Sequence, residues 1–304
     1  MAHEAVVMAG VDGSAASLRA LDWACAHAGK VGWGLRIVCA YALPTFAATS
    51  LDGGYVTLDD SAIREGAQAV LDEAVLRVAG SSVTVSTELL TGDPAGVLVE
   101  ESASARLAVV GTRGGSGFAE RILGTVSSAL PAHAHCPTVV VPSGVAQPAQ
   151  VRRIVVGVDG SDSATGALAW AIDEAELWGA QLTAVTAVPV GVGAGLLGWL
   201  PGSGDLETVL ADAQSGLDVT VEQALEGRQL QVRRHALDGT GAALLAEFST
   251  AVDLVVVGSR GRGGFAGMLM GSTSQALLHH SSCPVMVVPT RAQDEVPPLA
   301  PWAT

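Results

Sequence analysis

At 304 residues the chain has room for about two domains. Hydrophobic residues make up 49% and charged residues 15%, which excludes a disordered chain. The net charge of −14 opposes the phosphate backbone and so argues against a general nucleic-acid-binding surface.

The first half alternates short apolar runs with helical stripes. Ala5–Val11 reads as a buried strand, and Ala15–His27 carries Leu18, Leu21 and Cys25 on one helical face. Leu35–Ala40 is a second strand. Ser61–Val78 has Ile63, Val70, Leu71, Ala74 and Val78 in a helical stripe, with Asp59 and Asp60 ahead as caps. Val83–Leu89 is a strand. Asp93 as N-cap and Pro94 at the first helical position start a helix that runs to Ser104. Leu107–Val110, Thr125–His133 and Thr138–Val141 follow as strand, helix and strand. The second half repeats the order: Ile154–Val158, Ala164–Leu177, Gln181–Val188, Leu206–Leu225, Gln231–Ala236, Ala242–Thr250, Leu254–Val257, Thr273–His280 and Val285–Val288.

The two halves are copies at one fixed offset. Val11-Asp12-Gly13-Ser14 recurs as Val158-Asp159-Gly160-Ser161, Trp23 as Trp170, Gly111 as Gly258, Gly124 as Gly271, and Cys136-Pro137 as Cys283-Pro284; every pair is 147 residues apart. Between Gly111–Pro142 and Gly258–Pro289, 16 of 32 positions are identical. A repeat of this length is a duplicated domain rather than a solenoid unit. Strands alternating with helices predict an α/β chain of two doubly wound domains, each a five-stranded parallel sheet flanked by helices. The domains are expected at 1–142 and 151–290, with a linker at 143–150 and a Pro-rich tail at 291–304.

Several chemistries fall away. Lys30 is the sole lysine, and Gly29-Lys30 is followed by Val31, so the phosphate-binding lysine motif of P-loop enzymes is missing. The protein-kinase pattern is missing too. The four cysteines, Cys25, Cys39, Cys136 and Cys283, form no C-x-x-C pair, which argues against zinc or dithiol redox chemistry. Cys136 and Cys283 precede Pro and a buried strand, where a small apolar thiol fits. The N-terminus lacks a basic stretch before an apolar one, so a cytoplasmic location is expected. The uncharged stretch after Glu176 contains Pro189, Pro201 and many glycines, and is expected not to cross a membrane. The Gly193-x-Gly195-x-x-Gly198 pattern in it follows the second strand of its unit, and no helix clearly begins there, so it is not read as a dinucleotide fingerprint.

The loop after the fourth strand carries the strongest signal. It reads Gly111-Thr112-Arg113-Gly114, nine further residues, then Gly124-Thr125; its copy reads Gly258-Ser259-Arg260-Gly261, nine residues, then Gly271-Ser272. Glycines let a backbone approach a ligand, and successive N–H groups before a helix N-terminus form an anion cradle. Thr125 and Ser272 offer hydroxyls, and Arg113, Arg260 and Arg262 offer positive charge. Asp12 and Asp159, after the first strand of each half, read equally as helix caps or as ligands to a ribose hydroxyl or a phosphate-bound Mg²⁺. His133 and His280 fit helix C-termini, and Trp23 and Trp170 fit the core.

The Val-Gly-Val-Asp-Gly-Ser that opens the second half (156–161), the glycine spacing, the Gly92-Asp93-Pro94 turn and the Cys-Pro-Val-x-Val-Val-Pro that closes the second half (283–289) resemble the universal stress protein family, over about residues 3–142 and 151–290. The resemblance implies a tandem protein of the ATP-binding type, with strand order 3-2-1-4-5 in each domain and pairing of domains through their last strands. It implies a first ATP site at Gly10, Asp12, Gly111, Thr112, Arg113, Gly114, Gly115, Ser116, Gly117, Gly124, Thr125, Val126 and Ser127. The second is at Gly157, Asp159, Gly258, Ser259, Arg260, Gly261, Arg262, Gly263, Gly264, Gly271, Ser272, Thr273 and Ser274. The resemblance also implies that Ala40 and Ala187 are in place to contact adenine through their backbone. Mg²⁺ accompanies the nucleotide, and no protein-held metal is expected.

The copies also differ. Thr240-Gly241 replaces Asp93-Pro94, predicting a weaker helix cap, and Pro189–Gly204 is far richer in glycine than its counterpart, predicting unequal sites. The leading reading is a nucleotide-dependent regulator in a stress response. The alternatives are slow hydrolysis of ATP or another adenine nucleotide, and an interaction module that binds no nucleotide. The expected partners are an adenine nucleotide, the other half of the chain, and a second chain as a homodimer.

Overall fold

A computed structural model describes residues 4–42, 48–49, 55–56, 60–112, 123–144, 150–189, 206–261 and 270–290. The first half contains strands β1 (Val6–Gly10), β2 (Gly34–Tyr41), β5 (Val85–Thr91), β6 (Leu107–Gly111) and β7 (Thr138–Val141). Its helices are α1 (Ala15–Val31), α2 (Asp60–Val78), α3 (Pro94–Glu101) and α4 (Thr125–His133). Two short strands, β3 (Ala48–Thr49) and β4 (Tyr55–Val56), pair antiparallel outside the main sheet and were not expected. The second half contains β8 (Arg153–Gly157), β9 (Gln181–Val188), β10 (Val232–Asp238), β11 (Leu254–Gly258) and β12 (Val285–Val288). Its helices are α5 (Asp162–Trp178), α6 (Leu206–Leu225), α7 (Gly241–Phe248) and α8 (Ser272–His280).

The main strands form one ten-stranded sheet in the order β10-β9-β8-β11-β12-β7-β6-β1-β2-β5. Counted within each half, that is the order 3-2-1-4-5 twice, with every pairing inside a half parallel. The halves meet at β7 and β12, which pair antiparallel with Val139 opposite Met286. Parallel strands covered on both faces lose their polar alternation. Thus β7 reads Thr-Val-Val-Val and β12 Val-Met-Val-Val, every residue buried.

Helices α1, α2, α5 and α6 cover one face of the sheet, around Trp23, Leu71, Ile172 and Leu217. Helices α3, α4, α7 and α8 cover the other, around Leu98, Leu130, Leu245 and Leu277. Each layer runs unbroken across both halves.

The first helix extends four residues past its expected end, to Val31, where Gly32 adopts a left-handed φ of 75° and its N–H bonds Ala28 O. Glycine takes that conformation without the Cβ penalty, so the stop signal is the glycine and not the last apolar residue. The expected cap difference is present. Asp93 accepts from Gly96 N at 3.0 Å, whereas Thr240 accepts from Ala243 N at 3.3 Å.

Candidate functional site

Each half has a cavity at the carboxyl ends of its strands, where the strand order reverses. Open α/β sheets place ligands at that switch point. The first cavity, about 430 Å³, opens between β1, β2 and β6 and the N-terminus of α4. The second, about 470 Å³, occupies the matching place in the other half. Sizes of this order suit a small organic ligand.

The floor of each cavity is apolar. Val38, Leu98 and Val110 line the first, and Val185, Leu245 and Val257, each 147 residues later, line the second. Sequence reasoning did not single out these side chains, although the repeat offset pairs every one of them. Ala40 and Ala187 lie in the same walls. The two walls differ where Pro94 is replaced by Gly241, Leu123 by Met270, and Val126 by Thr273.

The opposite rim is polar. Gly124, Thr125, Val126 and Ser127 line the first cavity, and Gly271, Ser272, Thr273 and Ser274 the second. Gly124 and Gly271 are the N-caps of α4 and α8, and neither helix has a side-chain cap. The first-turn N–H groups and the positive end of the helix dipole therefore face the rim, as an anion requires. Arg260 and Gly261 complete the second rim; the Arg260 guanidinium reaches Thr290 Oγ1 at 3.2 Å.

Several of the expected site residues also have partners within the protein. Ser127 Oγ donates to Thr112 O at 2.6 Å, and Ser274 Oγ donates to Gly258 O at 2.6 Å. These hydroxyls tie each helix to the end of its strand. Thr112 and Ser259 do not line their cavities. Their carbonyls accept from Gly124 N at 3.0 Å and Gly271 N at 2.7 Å, which closes the loop behind the rim.

Gly10, Gly111, Gly157 and Gly258 do border the cavities, but their missing Cβ atoms make room for protein. A Cβ on Gly10 would lie 2.9 Å from Leu98 Cδ1, and one on Gly157 2.7 Å from Leu245 Cδ1. A Cβ on Gly111 would lie 2.6 Å from Ala16 C, and one on Gly258 2.7 Å from Ser163 C.

Asp12 and Asp159 are not the helix caps. The caps are Ser14 and Ser161, whose side chains accept from Ser17 N and Ala164 N. Asp12 Oδ1 accepts from Ser14 N at 3.0 Å, and Asp159 Oδ1 from Ser161 N at 3.0 Å and from Ser161 Oγ at 2.6 Å. The aspartates thus build the turn that presents the caps, and both line the cavities. Gly13 and Gly160, at φ of 78° and 74°, complete the turn. The carboxylate of Asp159 lies against Gly261, where a Cβ would collide with it.

Arg113, Gly114, Gly115, Ser116, Gly117, Arg262, Gly263 and Gly264 lie outside the described residues, as does most of Pro189–Gly204. Among the described residues, no group of three or more His, Cys, Asp or Glu side chains could hold a metal. No described helix is long and apolar enough to cross a membrane. Burial raises the thiols of Cys136 and Cys283 to about 12, which keeps them protonated and inert. Cys39, beside Ala40 on β2, is also raised, by burial and then by the Asp12 carboxylate.

A sequence profile of the universal stress protein family matches residues 5–142 and again residues 150–289. The chain belongs to this family. The universal stress protein Rv2623 of Mycobacterium tuberculosis is 33% identical over 291 residues, covering 92% of this chain and 95% of the relative. The universal stress protein Mb2028c of Mycobacterium bovis is 32% identical over 299 residues, covering 92% and 96%. The crystal structure of a universal stress protein from Archaeoglobus fulgidus superposes with a TM-score of 0.70 at 22% identity, covering 94% of this chain and 99% of that one. The tandem architecture is thus shared along nearly the whole length of each.

Proposed function

We propose that this universal stress protein binds one adenine nucleotide, ATP, in each half, and that occupancy of the two sites is the signal it transmits. The observation carrying this reading is the duplicated cavity, with an apolar floor on one side and an uncapped helix N-terminus on the other. A nucleotide has the same polarity. Its base is flat and largely apolar, and its phosphates are anionic. In a chain of net charge −14, the backbone N–H groups and Arg260 supply local attraction that the molecule as a whole does not.

Among the described residues, one carboxylate lines each cavity, Asp12 or Asp159. That donor set fits Mg²⁺ carried in by the phosphates with most of its water, since Mg²⁺ seldom occupies an all-protein cage. Asp12 and Asp159 would hold such an ion, which would neutralise phosphate charge. Both carboxylates accept hydrogen bonds in their turns, which holds them beside the cavities they line.

The test is to purify the protein without added nucleotide, denature it, and count what is released by chromatography and mass spectrometry. Close to two ATP per chain is expected. If none is released, calorimetric titration with MgATP should give two sites per chain. Ala40→Phe and Ala187→Phe should each abolish one site by filling a cavity wall. No binding in either experiment, or binding untouched by both substitutions, overturns the proposal. Release of ADP or AMP would instead favour slow hydrolysis.

A further inference from the structure

The interface between the halves contains one polar contact with an unusual address. His27, on α1, and Glu174, on α5, form a hydrogen bond of 2.8 Å between Nε2 and Oε1, and both side chains are fully buried. They are 147 residues apart. That is the offset of the internal repeat, so each is the other's equivalent.

Equivalent residues touch each other only on a two-fold axis. The strand junction marks the same axis. Val139 pairs with Met286, again 147 apart, at the centre of the β7–β12 register. The pseudo-two-fold axis therefore passes through Val139–Met286 in the sheet and His27–Glu174 in the helix layer.

A residue on such an axis decides which halves can meet. Two first halves placed in this arrangement would bring His27 against a second His27. Two second halves would bring Glu174 against a second Glu174. Buried carboxylates at hydrogen-bond distance cannot both ionise, two imidazoles there cannot both be protonated, and neither like pair has the charge complement of imidazole with carboxylate. Only the mixed arrangement gives an unlike pair.

The surroundings enforce the choice. Trp23 stacks on His27 at 5.2 Å, and Trp33 and Trp178 flank the ring at 6.2 and 6.3 Å. Trp178 Nε1 donates to the second oxygen of Glu174 at 3.0 Å. Among the described residues, the buried His27 Nδ1 has no hydrogen-bond partner, so the contact across the axis is the ring's polar anchor. Within this aromatic enclosure a mismatched pair has no water to turn to.

We propose that His27 and Glu174 form a pairing code. They make the face built by α1 and β7 complementary to the second half of this chain and incompatible with a second copy of itself. The protein is thereby held as an internal heterodimer, and the same face is denied to like halves of other copies.

The full-length chain permits a direct test, because single substitutions recreate each forbidden contact inside it. His27→Glu installs the Glu–Glu pair of two second halves, and Glu174→His the His–His pair of two first halves. The exchange His27→Glu with Glu174→His restores an unlike pair in reversed orientation. Thermal unfolding followed by tryptophan fluorescence reports on the three indoles around the pair.

Each single variant is expected to unfold on the order of 5–10 °C below wild type, as for a broken buried pair. The exchange variant is expected to recover at least half of the loss. If a single variant does not fold, a folded exchange variant gives the same answer. Single variants that unfold at the wild-type temperature overturn the proposal. So does an exchange variant no better than the single variants, or one recovering less than half of the loss.

Discussion

Gly111→Ala separates two explanations for a glycine at the end of β6. If the glycine serves the ligand alone, alanine should leave the unliganded protein unaffected. The structure says otherwise, because the added Cβ would lie 2.6 and 2.7 Å from Ala16 C and O and 2.9 Å from Ala16 Cβ. Ordinary contacts begin near 3.4 Å, so the first turn of α1 has to retreat by about 0.8 Å. The obstacle is backbone, which cannot rotate aside as a side chain does. The loss should sit at the upper end of the usual overpacking range, about 3 kcal/mol. Urea unfolding of the nucleotide-free protein should show a midpoint lowered by about 1 M. Gly258→Ala should behave alike, since its Cβ would meet Ser163 C and O at 2.7 Å. Gly144→Ala, with nothing within 4 Å, is the control and should be neutral. A Gly111→Ala unfolding free energy within about 0.5 kcal/mol of wild type would refute the reasoning.

Other substitutions test the same framework. Gly66→Ala in α2 and Gly216→Ala in α6 meet nothing within 4 Å and should each raise stability by about 0.5–1 kcal/mol, read as a higher urea midpoint. Asp93→Ala should cost about 1 kcal/mol through the lost cap of α3, and Thr240→Ala less, since its bond is longer. Stability should also fall in alkali. The Cys136 and Cys283 thiols titrate near 9 when unfolded and near 12 when folded, so between those values only the unfolded state has lost its protons. The decline is about 1.4 kcal/mol per pH unit per thiol, seen in unfolding midpoints from pH 8.5 upward. Cys136→Ala with Cys283→Ala should lessen the decline and leave the part that Cys39, also raised by burial, contributes.

Much of the fold was legible because the chain states its plan twice. Alternating apolar runs and helical stripes recurring at 147 residues specified two five-stranded parallel units, which the structure joins into one sheet, and placed the glycine loops at strand ends. What the pattern could not supply was direction. Asp12 and Ser14 are both good capping residues, and only geometry shows that Ser14 caps while Asp12 holds the turn. The spacing of Gly10 and Gly111, repeated in Gly157 and Gly258, reads as room for a ligand, but the space beside each Cα of the first pair is taken up by Leu98 and Ala16. The cavity floor went unread because Val38, Leu98 and Val110 are ordinary core residues by composition. His27 and Glu174 went unread because each is unremarkable alone; comparing residues at the repeat offset for opposite character would have found them.

Joining β7 to β12 also has a colloidal consequence. An unpaired strand of bare valines is a template for indiscriminate aggregation. In this chain the two most apolar borders, Thr-Val-Val-Val and Val-Met-Val-Val, shield one another in the middle of the sheet. The strands left at the outer margins are β5, which carries Ser86, Thr87 and Glu88, and β10, which carries Arg233, Arg234 and Asp238. Duplication has moved the adhesive seams inward and left hydrated, charge-bearing margins facing solvent.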